Sequence, residues 1–181
     1  MVWNVLEESA SVQVGHYARV SMVEFAGQDR CQIDANGRIR LTPRFAAEFE
    51  RLGAAVMLHL HPEGALGVYP QSVWDEMSRQ DDQAVRQALT DVRLRRTSRT
   101  IWPWTEPERV SNQGRITIPH PFRSILGLEP GTEAALVGCG YRLEIWNSTR
   151  WDEEMRLVLE HERRRTEAQM AAELRQPDQA P

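Results

Sequence analysis

The stretch Asp34-Ala35-Asn36-Gly37-Arg38-Ile39-Arg40-Leu41 returns 77 residues later as Ser111-Asn112-Gln113-Gly114-Arg115-Ile116-Thr117-Ile118. The same register carries Phe45 onto Phe122, and Leu66, Val68 and Tyr69 onto Leu143, Ile145 and Trp146. Trp74, Asp75 and Glu76 fall on Trp151, Asp152 and Glu153. Agreement of scarce Trp and Gly positions in one register marks an internal duplication. Each copy has about 55 to 60 residues, too few for a comfortable core of its own. The two copies are therefore expected to share a core or to exchange elements with each other or with another chain.

Each copy shows the same order of local signals. In the first, CQID and RIRL flank an Asn-Gly pair, which predicts two short strands about a turn. Alternation places Arg38 and Arg40 on one polar strand face, with Ile39 and Leu41 on the other. In the second, Arg115 and Thr117 take the polar face. Pro43 and Pro119 end these strands, and short glycine-stopped helices follow over 44–53 and 121–131. Residues 56–69 and 134–146 each predict a hairpin with Gly at its turn. A helix closes each copy. The first opens near Ser72 and is expected to reach about Arg96, with a break near Asp81-Asp82. The second opens near Ser148 or Thr149 and runs to about Arg175, with Trp151, Met155, Val158 and Leu159 at helical spacing. Residues 19–25, RVSMVEF, are β-compatible. The first 15 residues lie outside the repeat.

Composition narrows the function classes. The 181 residues are 41% apolar and 27% charged, which suits a folded core. All 22 basic residues are arginine, against 26 acidic ones, for a formal net charge of −4. That balance argues against a non-specific nucleic-acid coat but leaves room for a local patch. Between Arg86 and Arg123 there are eight arginines and three acids. No apolar run is long enough for a transmembrane helix, and the first residues lack the pattern of a signal peptide. Cys31 and Cys139 cannot build a disulfide framework, so a reducing cytoplasm is the expected compartment. His59 and His61 share a strand face and would make half a metal site, but no third ligand follows at a recognised spacing. No nucleophile elbow, P-loop or HExxH motif is present, and neither an enzyme nor a metal or other cofactor is expected.

The doubled motif ending in Gly-Arg, followed each time by a short apolar strand, proline, a small helix and an aromatic-ended strand, resembles the MraZ family of bacterial transcriptional regulators. Leu143 to Trp146, with Trp151 following, is especially similar to the family's second copy. The resemblance covers about Tyr17 to Met155. It implies an α+β fold of tandem-duplicated βαβ-type modules forming an AbrB/MraZ-like swapped-hairpin barrel with flanking helices. It also implies a ring-like homo-oligomer in the cytoplasm, associated with the nucleoid and not with a membrane. The expected partner is double-stranded DNA carrying short direct repeats upstream of a cell-division and cell-wall gene cluster, usually repressed. The motif arginines of the family fall on Arg38 and Arg115 here, and Arg40 joins them by strand geometry.

Asp34, Gly37, Ser111 and Gly114 are expected to build the turns. Asp34 would accept turn hydrogen bonds and orient Arg38; the plainer alternative for Arg38 and Arg115 is a solvated strand residue or a salt bridge to a nearby acid, which for Arg38 could be Asp34. Ser111 stands where the family usually has aspartate. The expected organisation is an N-terminal extension over 1–16, a first repeat over 17–80, a basic helical linker over 81–100, a second repeat over 101–155 and a C-terminal helix and tail over 156–181. The competing expectation is a diverged oligomeric interaction or structural module that keeps the fold without binding DNA.

Overall fold

Two short helices show how the duplicated pattern becomes structure. Pro43 and Pro121 lie in the first turns of their helices, where a missing amide costs nothing. Phe45 and Phe49 in one, and Phe122 and Leu126 in the other, sit four residues apart and are buried. Gly53 (φ 91°) and Gly127 (φ 67°) end the helices in the left-handed conformation. The computed structural model describes residues 24–80 and 91–173. In chain order these form β1 (Gln28–Gln32), β2 (Arg38–Arg40), α1 (Pro43–Leu52), β3 (Ala55–Leu60), β4 (Ala65–Pro70) and α2 (Gln71–Gln80). From Asp91 onward come α3 (Val92–Ile101), a 3-10 turn (Trp102–Trp104), β5 (Thr105–Arg109), β6 (Arg115–Thr117), α4 (His120–Leu126), β7 (Glu133–Gly138), β8 (Leu143–Asn147) and α5 (Ser148–Glu173).

The strands form a six-stranded sheet in the order β1-β7-β8-β4-β3-β5, and β2 pairs with β6 in a separate ribbon. The copies exchange strands. β1 of the first copy extends the β7-β8 hairpin of the second, and β5 of the second extends the β3-β4 hairpin of the first. Two pairs of equivalent residues face each other, Ile39 with Ile116 and Gly67 with Glu144, so a pseudo-two-fold axis passes through both. The register of 77 holds for β1, β2 and β4 but becomes 78 for β3 and β7, which run from Ala55 and from Glu133. The extra residue is recovered in the hairpin loop, so the repeat is gapless only outside that strand.

One core serves both copies. Phe25, Phe45, Phe49, Leu58, Val68, Ile39, Ile116, Phe122, Leu136 and Ile145 belong to a single buried cluster. The Phe25 ring lies 4.6 Å from that of Phe49. On the opposite sheet face a smaller cluster of Ala65, Ala135, Val137 and Trp146 is covered by Trp151 of α5. There Glu144 is buried, but Arg142 (2.8 Å) and the Trp146 indole (3.0 Å) satisfy its carboxylate. The buried charge therefore has its partners.

Several expectations change. Among the described residues every strand pair is antiparallel, so the copies are not βαβ units in the parallel sense. The sheet is open, with β1 and β5 as its edges, and not a closed barrel. The chain leaves each edge strand through a tight turn into the ribbon, which pairs across the axis and does not close the ladder. For the same reason β1 and β2 make no hairpin of their own beyond the bridge from Ile33 to Ile39. The helix opening near Ser72 begins at Gln71 and is described only to Gln80. A separate helix, α3, starts after Asp91, whose side chain accepts the Arg93 amide at 2.7 Å. The predicted break at Asp81-Asp82 and most of RVSMVEF lie outside the described residues. In α5, Trp151 and Met155 are half-buried, but Val158 and Leu159 are exposed.

Candidate nucleic-acid interface

The two motif turns have one backbone plan. Gly37 donates to the Asp34 carbonyl (2.9 Å) and Asp34 to the Arg38 carbonyl (2.8 Å). Gly114 donates to the Ser111 carbonyl (2.8 Å) and Ser111 to the Arg115 carbonyl (2.9 Å). Gly37 (φ 71°) and Gly114 (φ 68°) hold the left-handed position this geometry requires. Side chains cap both turns in the same way. Asp34 Oδ1 accepts the Arg38 amide at 3.0 Å, and Ser111 Oγ accepts the Arg115 amide at 3.0 Å.

The turns differ in charge. Asp34 also accepts the Asn36 amide (2.8 Å), and its Oδ2 pairs with Arg38 Nε at 2.9 Å. The Arg38 amide, then the Asn36 amide and the Arg38 guanidinium, hold the Asp34 carboxyl below the usual carboxylate range. Ser111 offers no carboxylate to Arg115. Among the described residues no acid lies within ion-pair reach of Arg115 or Arg40.

The β2-β6 ribbon brings the sequence-predicted arginines together. Arg38 faces Thr117, Ile39 faces Ile116, and Arg40 faces Arg115. With the two isoleucines fully buried, alternation turns Arg38, Arg40, Arg115 and Thr117 to the outer face. Two like charges directly opposite each other destabilise an antiparallel pair. The short ribbon thus gathers three guanidinium groups on one outward face, of which Arg38 is already paired with Asp34.

The arginine-rich segment, in contrast, is not one patch. Arg86 lies outside the described residues. α3 carries Arg93, Arg95, Arg96 and Arg99, but it joins the Thr105 end of β5, whereas the second turn follows the Arg109 end. Arg123 is drawn inward: its side chain is 14% exposed and donates to the Ile118 carbonyl at 2.8 Å. It packs against Gly37, where any Cβ would collide with its guanidinium. At the related place Gly114 has Ala46 as its neighbour. Sequence reasoning placed Arg123 only in the basic run. The signal it overlooked is that the register of 77 sets Arg123 against Ala46.

His59 and His61 are each engaged with a hydroxyl group. His59 Nδ1 lies 2.9 Å from Thr105 Oγ1, and His61 Nε2 lies 3.0 Å from Tyr69 OH. No group of three potential metal ligands occurs among the described residues. No helix among them is long and apolar enough to cross a membrane.

These features define a duplicated α+β protein whose two strand-exchanged copies present a cationic ribbon. Residues 110–174 match the family model described as "MraZ protein, putative antitoxin-like". The transcriptional regulator MraZ of Thermus thermophilus is 31% identical over 133 residues, which cover 74% of this chain and 88% of that protein. The transcriptional regulator MraZ of a Parafrankia species is 33% identical over 129 residues, covering 71% and 84%. That of Saccharopolyspora erythraea is 30% identical over 127 residues, covering 70% and 83%. The chain belongs to the MraZ family, a family of transcriptional regulators and not of enzymes.

Proposed function

We propose that this protein is a sequence-specific DNA-binding transcriptional regulator that uses the ribbon arginines Arg38, Arg40 and Arg115. The observation that carries this is the pairing of Arg40 with Arg115 across the ribbon, beside Arg38 on the same outer face. Arginine forks match both phosphate oxygens and the guanine edge. A two-stranded ribbon also fits the width of a major groove. One bidentate guanine contact is worth roughly 1–3 kcal/mol of discrimination, so a single module binds modestly. Modules repeated around a ring-like homo-oligomer, on short direct repeats of matching spacing, multiply that affinity without new contacts. The target we propose is the region upstream of the protein's own cell-division and cell-wall gene cluster, read in the cytoplasm at the nucleoid, with repression as the outcome.

The test is fluorescence anisotropy with labelled DNA from immediately upstream of the gene, scrambled DNA as control, and R38A and R115A in parallel. Selective, salt-sensitive binding weakened in either variant supports the proposal. Loss in R38A alone would make the Ser111 copy structural. Equal weak binding to both DNAs, unchanged by either substitution, would refute it and leave an oligomeric interaction module. The net charge of −4 is what favours that second possibility.

A further inference from the structure

The two turns rest on different supports. Beneath the first lies Arg123, whose guanidinium fills the space a Gly37 side chain would take. Its Nε is buried without a hydrogen bond among the described residues, and Glu129 Oε2 is 4.0 Å away. A buried guanidinium with an unused donor is costly, so its polar contacts alone do not account for its place. Packing under the turn and the bond to the Ile118 carbonyl hold it there. Ile118 in turn donates to the Gly37 carbonyl at 3.0 Å, as Leu41 does to the Gly114 carbonyl at 2.8 Å, so the guanidinium is what distinguishes the first turn.

Beneath the second turn the corresponding residue is Ala46, whose Cβ would meet a Gly114 side chain closely, at 3.1 Å, but which has no longer side chain to reach under the turn. With no long side chain there, a cleft remains, lined by Ala46, Glu50, Gly53, Ser111, Asn112 and Gly114. The equivalent backbone bonds of the two turns match within 0.2 Å, so the difference lies in the support and in the Asp34 or Ser111 cap.

We propose that Arg123 is a positioning residue that clamps the first turn and fixes Arg38, while the open cleft leaves the second turn and Arg115 adaptable. The first turn sets sequence preference, and the second contributes affinity on any DNA. This division of labour rests on the DNA-binding function proposed above; the clamp itself does not.

Two arms separate the claims. The first is amide hydrogen exchange on the full chain without DNA, comparing Gly37 and Arg38 with their equivalents Gly114 and Arg115. R123A is expected to speed exchange about tenfold or more at Gly37 and Arg38 and to leave Gly114 and Arg115 unchanged. A46R, which places a clamp in the cleft, is expected to slow exchange at Gly114 and Arg115. It keeps the test decisive if R123A unfolds. Unchanged exchange in A46R, or a uniform rise in R123A while the protein stays folded, overturns the clamp. The second arm is anisotropy with R123A. The ratio of cognate to scrambled affinity should fall about fivefold or more, with the salt dependence unchanged because the guanidinium faces inward. A salt slope reduced by about 0.9 would make Arg123 a phosphate contact and overturn the positioning role. Wild-type protein with no preference between DNAs would refute the sequence-specific function and with it the division of labour, and the exchange arm would still judge the clamp.

Discussion

Replacing Arg40 by threonine should stabilise the protein while weakening its hold on DNA. Threonine is the residue the other copy carries at the equivalent position, Thr117, so the ribbon already accommodates it. Arg40 and Arg115 are direct cross-strand partners, and side chains so placed start about 5 Å apart. At that separation two unit charges repel by about 0.8 kcal/mol in water. Splaying of the long side chains reduces this to roughly 0.3–0.8 kcal/mol, within the range measured for cross-strand pairs. For a chain of this size that is a rise in Tm of about 1–3 °C. The partners lie inside the Debye length, so the gain should be larger at about 20 mM salt than at about 300 mM. Thermal unfolding at both salt concentrations measures it, with R40K as the control that keeps the charge and should gain nothing. Threonine's strand preference adds a part that salt does not alter, so the salt-dependent part is decisive. In anisotropy the slope of log affinity against log salt should fall by about 0.9 as one phosphate contact is lost. A lowered Tm, or a gain equal at both salt concentrations, would refute the repulsion. An unchanged salt slope would remove Arg40 from the DNA contacts.

Other outcomes follow from the same structure. Ile39→Ala empties a fully buried site on the pseudo-axis and should cost about 2–5 kcal/mol, read by denaturant unfolding. Combination with Ile116→Ala should be non-additive, because the two residues face each other. Gly37→Ala and Gly114→Ala both force alanine into the left-handed region, at about 1–2 kcal/mol each. Gly37→Ala also collides with Arg123, so its Tm should fall further than that of Gly114→Ala. Burial, and then the neighbouring His61, lower the His59 pKa to about 4, so the unfolded chain takes up a proton there first as pH falls. Stability should be level above about pH 6.5 and decline towards pH 4, by on the order of 2 kcal/mol at most for a partly exposed ring. H59Q should flatten that decline in thermal scans. Burial raises the Cys31 thiol to about 11 and the Cys139 thiol to about 12. Both should therefore react with iodoacetamide far more slowly than glutathione at about pH 8, as mass spectrometry would show.

Much of this architecture was legible because it is local. Glycine at the turns, proline at the helix starts and aromatic residues four apart act through their immediate neighbours, and the duplicated register made each of them visible twice. The ribbon arginines were legible because alternation along Arg38-Ile39-Arg40 does not depend on the partner strand. Partner choice was not legible. Nothing in CQIDANGRIRL distinguishes a hairpin from two strands that pair elsewhere, since the competing ladders are closed by residues far along the chain. The one-residue offset of β7 escaped for a related reason: the matched residues flank that strand and skip it. Arg123 looked like one more member of a basic run because inward packing against Gly37 leaves no trace in composition.

The exchange of β1 and β5 between copies has a further consequence. A genuine homodimer expresses every substitution on both sides of its axis, so its surface stays symmetric. Here one polypeptide behaves as an obligate heterodimer with fixed stoichiometry, and each half mutates alone. Ser111 against Asp34, Ala46 against Arg123 and Glu144 against Gly67 are all one-sided changes on a two-fold frame. The frame thereby acquires a head and a tail, and successive molecules laid along a polar lattice can all point the same way.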